Sequence, residues 1–480
     1  MEEIKKTLRD STAARWSALA IISITMFAGY FLTDVMSPLK PMLETEFGWS
    51  STNYGIFTSS YGWFNVFLGM LILGGIILDK MGVRFTGLTA SGIMVLGASI
   101  KYWAISNPSL PNETIFGMHE QVFFASMGFA IFAVGVEVAG ITVSKIIVKW
   151  FKGKEMALAM GMQMAVARLG TMLAIAAPVP LATFFTNEHL QLVNGELIEK
   201  SGPNISAPIA FALVLLSIGF ISFFIYMAMD KKLDASIASS GEVDEEEPFK
   251  VGDIAKIIVN KGFWLIAILC VLFYSSVFPF IKYASDLMVN KYGLSQEIAG
   301  YIPSVLPLGT LFLTPLFGSI YDKKGKGATM MIIGASLIIF VHTIFSLPIL
   351  NYWFVALFLV IILGVALSLV PSAMWPSTPK IIPENQLGTA FSLIFWIQNW
   401  GLMGIPLLIG YVLDKTNPEV LAAKAQVAQG VEGVVVPLYD YTYPMMIFAG
   451  LGVLAFFVAF MLKAEDKKKG YGLQLPNIQE

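Results

Sequence analysis

Two charged side chains stand where apolar spans should not carry them: Glu137 in VGVEVAG and Arg168 in AVARLGT. Each lies inside a long hydrophobic run, and the short basic segment KWFKGKE, with Gly153 near its centre, separates the two runs. Glu137 comes about 16 residues before that glycine and Arg168 about 15 after it. If the runs are antiparallel helices, a rise of about 1.5 Å per residue puts both charges roughly 20 Å from the turn. That is near the middle of a hydrocarbon layer about 30 Å thick. An ionised group at that depth is costly by several kcal/mol and must face a partner or a wet cavity. A carboxylate suits an ammonium group, and a guanidinium offers a planar fork to a carboxylate. The two residues therefore read either as a site for a zwitterion or as a Glu–Arg pair that clips two helices together.

The elements that would position them are membrane helices. The chain has 480 residues, of which 56% are hydrophobic and only 13% charged, about half the charge density of a soluble globular protein. Apolar runs of some 20 residues recur along its length, the pattern of an all-α membrane protein. Spans are expected at about 16–36, 53–78 and 85–105, at two positions within 122–185, and at 208–229. After a polar segment they resume at about 263–289, 299–321, 328–347, 353–375, 387–413 and 443–462. This gives twelve transmembrane helices: a tail (1–15), a six-helix bundle (16–229), a linker (230–261), a second six-helix bundle (262–463) and a second tail (464–480). The linker holds the acidic run GEVDEEE and a candidate surface helix in VGDIAKIIVN. With both termini in the cytoplasm, about 22 of the 31 Lys and Arg fall in cytoplasmic segments and about five in external loops. The external loops carry acids instead, Glu44, Glu46, Glu113, Glu120, Glu188, Glu196 and Glu199. The single cysteine, Cys270, excludes an intrachain disulfide, and the three histidines are too scattered for a metal site. The polar start MEEIKKTLRD does not read as a cleaved secretory signal. Asn112 and Asn204 match the short glycosylation pattern on external loops.

An internal repeat narrows the architecture. Gly75-Ile-Ile-Leu-Asp79-Lys80-Met-Gly82 follows span 2, and Gly318-Ser-Ile-Tyr-Asp322-Lys323-Lys-Gly325 follows span 8, some 243 residues later. Both fit G-x-x-x-D-K-x-G; the first continues to Arg84, where the second has Gly327. This resembles the signature loop of the major facilitator superfamily, over about residues 15–465. The resemblance implies two six-helix pseudo-repeats. It also implies that Asp79, Arg84, Asp322 and Lys323 belong to loops that hold one conformational state closed on the cytoplasmic side. The stretches YGWFNVFLGMLILGGIILDKMGVR, KGKEMALAMGMQMAVARLGT, VFPFIKYASDLMVNKYGLS and MWPSTPKIIPENQLGTAFSLIFWIQNWGL are similar to one subgroup, the lysosomal dipeptide uniporters and their bacterial relatives. In that subgroup an acid on span 4 and an arginine on span 5 engage the amino and carboxylate ends of a dipeptide; Glu137 and Arg168 occupy those positions. No acidic dileucine sorting signal occurs in MEEIKKTLRDSTAARW, which favours a plasma, bacterial inner, membrane.

Further polar residues in the spans are candidates for the same site. Tyr30 and Asp34 lie one helical turn apart on span 1, with Asp34 near the external mouth as a pocket carboxyl or an interfacial cap. Lys282 and Asp286 share the same spacing on span 7 and read as a gate or a local ion pair. Gln398 is the candidate for hydrogen bonding a peptide backbone, and Asn399 beside it for that role or for joining helices. Trp375 and Trp63 are candidates for side-chain pockets. Lys145, Lys149 and Lys101 are expected to snorkel toward the membrane faces. In the empty site Glu137 and Arg168 are expected to pair with each other, and Glu137 and Asp34 are the carboxyls able to carry a proton. Prolines 279, 303, 307, 315, 371 and 376 suggest bent helices around a central site.

The reading that unites these features is a secondary transporter for a small zwitterion, with dipeptides implied by the resemblance, working by alternating access as a uniporter or with proton coupling. The alternatives are a facilitator-family carrier for an organic anion, a sugar or a nitrate-like anion, and a non-transporting receptor on the same fold. Spans 2, 8 and 11 lack the buried arginine or lysine that nitrate- and oxalate-type relatives place there. A receptor would usually append a soluble domain. No nucleophile–base set, nucleotide loop or metal spacing is present, so neither an enzyme nor a cofactor is expected. The expected partners are the lipid bilayer and a small solute, not nucleic acid; an accessory subunit is left open.

Overall fold

Hydrophobic runs of this length can satisfy their backbone groups in lipid only as helices, and helices dominate the computed structural model of the chain. It describes residues 7–107, 110, 113–152, 154–193, 196–240, 251–383, 386–431 and 433–477. Gly153, Asn112 and the acidic run 241–247 lie outside the described residues.

The first half contains α1 (Thr12–Asp34), α2 (Lys40–Phe47), α3 (Ser51–Ser59), a 3-10 turn (Ser60–Gly62), α4 (Trp63–Phe67) and α5 (Met70–Ser106). It continues with α6 (Glu120–Phe151), α7 (Met156–Ala176), α8 (Pro178–Phe184) and α9 (Ser206–Ser240). Two small antiparallel hairpins, β1–β2 (Thr114–Ile115, Met118–His119) and β3–β4 (Asn187–Val193, Glu196–Gly202), fill loops of this half. The second half contains α10 (Val251–Ile258), α11 (Lys261–Tyr292), α12 (Gln296–Ala299), α13 (Tyr301–Lys324) and α14 (Gly327–Ser346). α15 (Trp353–Ile381), α16 (Leu387–Thr416), α17 (Pro418–Ala428) and α18 (Thr442–Lys469) complete it. α10 falls where the surface helix is expected.

Eleven helices among the described residues are long and apolar enough to cross a membrane, against the twelve expected. The difference lies in span 2. Its first half is broken into α3, the 3-10 turn and α4, and its second half runs on into span 3 as α5. Gly82 interrupts α5 with φ 75° and ψ 173°, a conformation open essentially to glycine alone. The chain reverses there: Gly74 meets Val138 of α6, while Ala90, equally far beyond Gly82, meets Gly135 of the same helix. Counted at this reversal, the chain crosses twelve times, in two sets of six.

The two faces of the molecule are tied differently. On the face carrying the termini, here the terminal side, every ion pair among the described residues stays within one half. Arg84 pairs with Asp230 at 2.9 Å and with Asp234, and Lys149 joins both acids. Lys145 holds Asp79 at 3.1 Å, Arg15 holds Glu155 at 2.9 Å, and Lys261 holds Glu465 at 2.7 Å. Lys145 and Lys149 therefore pair with acids instead of simply snorkelling. Asp230, placed by the sequence at the start of a solvated linker, is instead fully buried, because α9 continues to Ser240.

The opposite, far side is sealed across the two halves. The Asp414 carboxylate of α16 accepts the Ser51 N–H at 3.0 Å and the Thr52 N–H at 2.6 Å, meeting the unpaired donors at the start of α3. Lys40 reaches Asp286 at 2.6 Å, and Lys424 reaches Glu44 at 2.5 Å. Gly410 of α16 packs so closely that a Cβ there would stand 2.2 Å from the Ser51 carbonyl oxygen.

Gly82→Val, which adds a side chain at the reversal, is expected to destabilise the protein by about 1–3 kcal/mol and to lower its thermal midpoint in detergent. Gly75→Ala, where a Cβ meets open space, should leave the midpoint in place.

Candidate functional site

Between the halves lies a cavity of about 350 Å³, within the range of small-molecule sites. The first half lines it with polar and charged groups. α1 contributes Tyr30 and Asp34, one turn apart as their spacing requires; the 3-10 turn contributes Tyr61, α6 contributes Glu137 and α7 contributes Arg168. The second half lines it with Tyr274, Phe278 and Lys282 of α11, Trp375 of α15, and Phe395, Gln398 and Asn399 of α16. Trp63 does not line it.

Glu137 and Arg168 thus open onto one cavity, as their equal depth suggests, but among the described residues no ion pair joins them. The Tyr61 hydroxyl donates to Glu137 Oε1 at 2.6 Å. Arg168 instead faces the Phe278 ring, 5.8 Å from its centroid, a cation–π arrangement. The expected mutual pairing of the empty site is corrected on this point. Tyr61 and Phe278 are the neighbours that stand beside the two charges instead.

The second-half wall is aromatic. Phe278 stacks on Tyr274 with centroids 5.3 Å apart, and the Trp375 Nε1–H donates to the Tyr274 hydroxyl at 3.1 Å. Trp375 also lies 5.1 Å from Phe395 and 5.9 Å from Phe391. Gln398 Oε1 accepts a weak bond from the Cys270 thiol at 3.4 Å. Asn399 donates to the Phe395 carbonyl at 3.0 Å, while its buried Oδ1 has no protein partner.

At its far end the cavity meets the seal. Lys282 and Asp286 do not form the local pair their spacing allows. Lys282 donates across the halves to Asp34 at 2.6 Å and to the Thr33 carbonyl at 2.6 Å. Asp286 pairs with Lys40, accepts from Tyr441 and takes an Asn290 N–H at 3.0 Å. The chain passes from α1 directly into α2, so Lys40 arrives beside α11 and competes for the carboxylate. Glu44, expected in a solvated loop, is buried between Lys40 (2.7 Å) and Lys424. Burial disfavours the Lys40 ammonium, but Asp286 and Glu44 outweigh it and hold its pKa above the ordinary lysine range. Lys101 does not snorkel: it is fully buried, with its ammonium 4.6 Å from the Phe129 centroid and 3.3 Å from the Leu32 carbonyl oxygen.

Of the signature-loop residues, Asp79 and Arg84 pair among the described residues with groups of their own half. Asp322 is held by the C-terminal tail: Asn477 donates its backbone N–H to the Asp322 carbonyl at 3.0 Å and its amide to the carboxylate at 2.7 Å. Lys323 is exposed at the end of α13.

Sequence reasoning missed Tyr61, Tyr274, Phe278, Lys40, Asp414, Lys424 and Tyr441. A signal existed for three of them. Tyr274, Phe278 and Lys282 follow at intervals of four on α11, so one face carries all three. Lys40 and Glu44 share the i, i+4 spacing of a local pair, but Asp286 and the partners of Asp414 are distant in sequence and left no local pattern.

The Major Facilitator Superfamily model matches residues 20–406. The chain belongs to that superfamily. Transport is the function this membership and the curated relatives support. The cattle protein named lysosomal dipeptide transporter MFSD1 is 27% identical over 408 residues, covering 84% of this chain and 80% of that one. The zebrafish protein of the same name is 28% identical over 396 residues, covering 81% and 78%. Among solved structures, a bacterial homolog to human lysosomal transporter Spinster, in an inward-facing and occupied conformation, superposes with TM-score 0.63 at 13% identity. It covers 95% of this chain and 98% of its own. The nucleoside transporter NupG gives 0.61 at 12% identity, with coverage of 94% and 98%. At such identity these structures establish the fold and no more.

Lys40→Met would leave Asp286 and Glu44 buried around a missing cation, a defect of about 3–5 kcal/mol. The expected result is a lower thermal midpoint and faster labelling of a cysteine placed at Thr33 by an impermeant maleimide applied from the far side.

Proposed function

We propose that this facilitator-superfamily transporter moves dipeptides, with Glu137 taking the substrate ammonium and Arg168 its carboxylate. The observation that carries the reading is that these two opposite charges line one cavity without pairing to each other. A buried carboxylate and a buried guanidinium each need a countercharge, and a zwitterion brings both. The names of the curated relatives support the same class. Tyr30 lies on the same wall, Gln398 and Asn399 offer amide groups to the peptide bond, and the aromatic face around Trp375 accommodates side chains.

In this reading the terminal side is cytoplasmic, supported by the bias of Lys and Arg toward it, and the membrane is a plasma membrane of the bacterial inner type. The far-side seal, with Lys282–Asp34 at the cavity and Lys40–Asp286 beyond it, is the outer gate. Its opening completes the alternating-access cycle. Asp79, Arg84 and Asp322 then serve the cytoplasmic closure of the other state, for which Asp322 must first leave Asn477.

Purified protein screened by thermal shift should be stabilised by dipeptides and not by sugars or simple carboxylates; stabilisation by the latter alone overturns the proposal. In proteoliposomes Glu137→Gln and Arg168→Lys, at equal incorporation, should each reduce dipeptide uptake at least tenfold, the cost of about 1.4 kcal/mol in a charge-assisted contact. Uptake should also survive collapse of a proton gradient, as expected of a uniporter. Sensitivity to the gradient would instead assign proton carriage to Glu137 or Asp34.

A further inference from the structure

The second span loses its α-helical form where it passes the cavity. α3 stops at Ser59, and the single 3-10 turn Ser60–Gly62 precedes α4. Such a tightened stretch inside a span marks a position under local constraint, and here the constraint is visible on both sides. Toward the cavity, the Tyr61 hydroxyl donates to Glu137 Oε1 at 2.6 Å. Toward the second half, a Cβ on Gly62 would stand 2.5 Å from Met403 Cβ and 3.2 Å from the Asn399 carbonyl oxygen. The Tyr61 ring is braced 5.6 Å from Phe129, which in turn stacks on Phe57 at 4.9 Å. The phenol is thus held from three directions, and it is the hydrogen-bond partner the structure gives Glu137 among the described residues.

We propose that Tyr61 is a positioning residue for the ammonium site: its hydroxyl fixes the Glu137 carboxylate through one oxygen, leaving the other directed at the substrate's amino group. A glutamate side chain in a roomy cavity has several rotamers of similar energy, and holding one of them lowers the ordering cost that binding must otherwise meet. The role assigned to the phenol is exerted through the carboxylate. This role rests on the dipeptide reading of the cavity.

The test compares wild-type protein and Tyr61→Phe in proteoliposomes. The transported substrate is alanyl-alanine, and propionyl-alanine, which has hydrogen in place of the amino group, is the inhibitor. Loss of one hydrogen bond to a charged group should raise the KM for alanyl-alanine about tenfold. Vmax and the thermal midpoint of the ligand-free protein should stay unchanged, and any inhibition by propionyl-alanine should be the same in both proteins. An unchanged KM overturns the assignment. So does a loss of Vmax or thermal midpoint in parallel with KM, or an equal weakening toward both ligands, since these report a structural role for the ring. If wild-type protein fails to move alanyl-alanine at all, the dipeptide reading is what falls, and this assignment falls with it.

Discussion

A charge in a low-dielectric interior must be matched, and the structure is arranged around where each match is found. On the terminal side the partners lie within one six-helix half, as in Arg84 with Asp230 and Lys145 with Asp79. On the far side they lie across the halves, as in Lys40 with Asp286 and Lys282 with Asp34. Among the described residues, ion pairs therefore join the halves at one face and stay within each half at the opposite one. At mid-depth Glu137 and Arg168 have a phenol and an aromatic ring beside them and, among the described residues, no ion-pair partner. That imbalance is the ground for the proposal that the cavity is a substrate site.

The same accounting explains why the two walls differ. The first half supplies Asp34, Glu137 and Arg168, and the second supplies Lys282, π surface from Phe278, Tyr274, Trp375 and Phe395, and the amides of Gln398 and Asn399. A ligand bound by its charged ends to one wall and by its remaining surface to the other couples both halves through its own body. Rocking of one bundle against the other about such a ligand is the motion a duplicated fold permits. The cross-half bonds of the far side are short and charged, so opening that face must exchange them for water or for new partners.

Much of this was legible from the chain alone where the signal was local or periodic. Hydropathy located the spans, the repeated G-x-x-x-D-K-x-G located the duplication, and distance from the KWFKGKE turn put Glu137 and Arg168 at one depth. Local patterns misled where a nearer partner existed in space than in sequence. Lys282 and Asp286 are one turn apart, yet each bonds to the other half, because α1 and α2 bring Asp34 and Lys40 against α11. Lys101 is near a span end, yet Phe57 and Phe129 enclose it. Asp230 begins a polar stretch, yet α9 carries it inside to meet Arg84 and Lys149.

By itself the sequence determined the fold class, the twofold plan and the depth of the two central charges, because helices in lipid must be continuous apolar runs of fixed rise. Tertiary structure alone decided which charge meets which. Apart from the i, i+4 pair Lys40–Glu44, the pairings that seal the far side depend on the approach of helices far apart in the chain, which no periodicity encodes. The break of span 2 at Tyr61, the sealing of one face across the halves, and the absence of a Glu137–Arg168 bond among the described residues all follow from that packing.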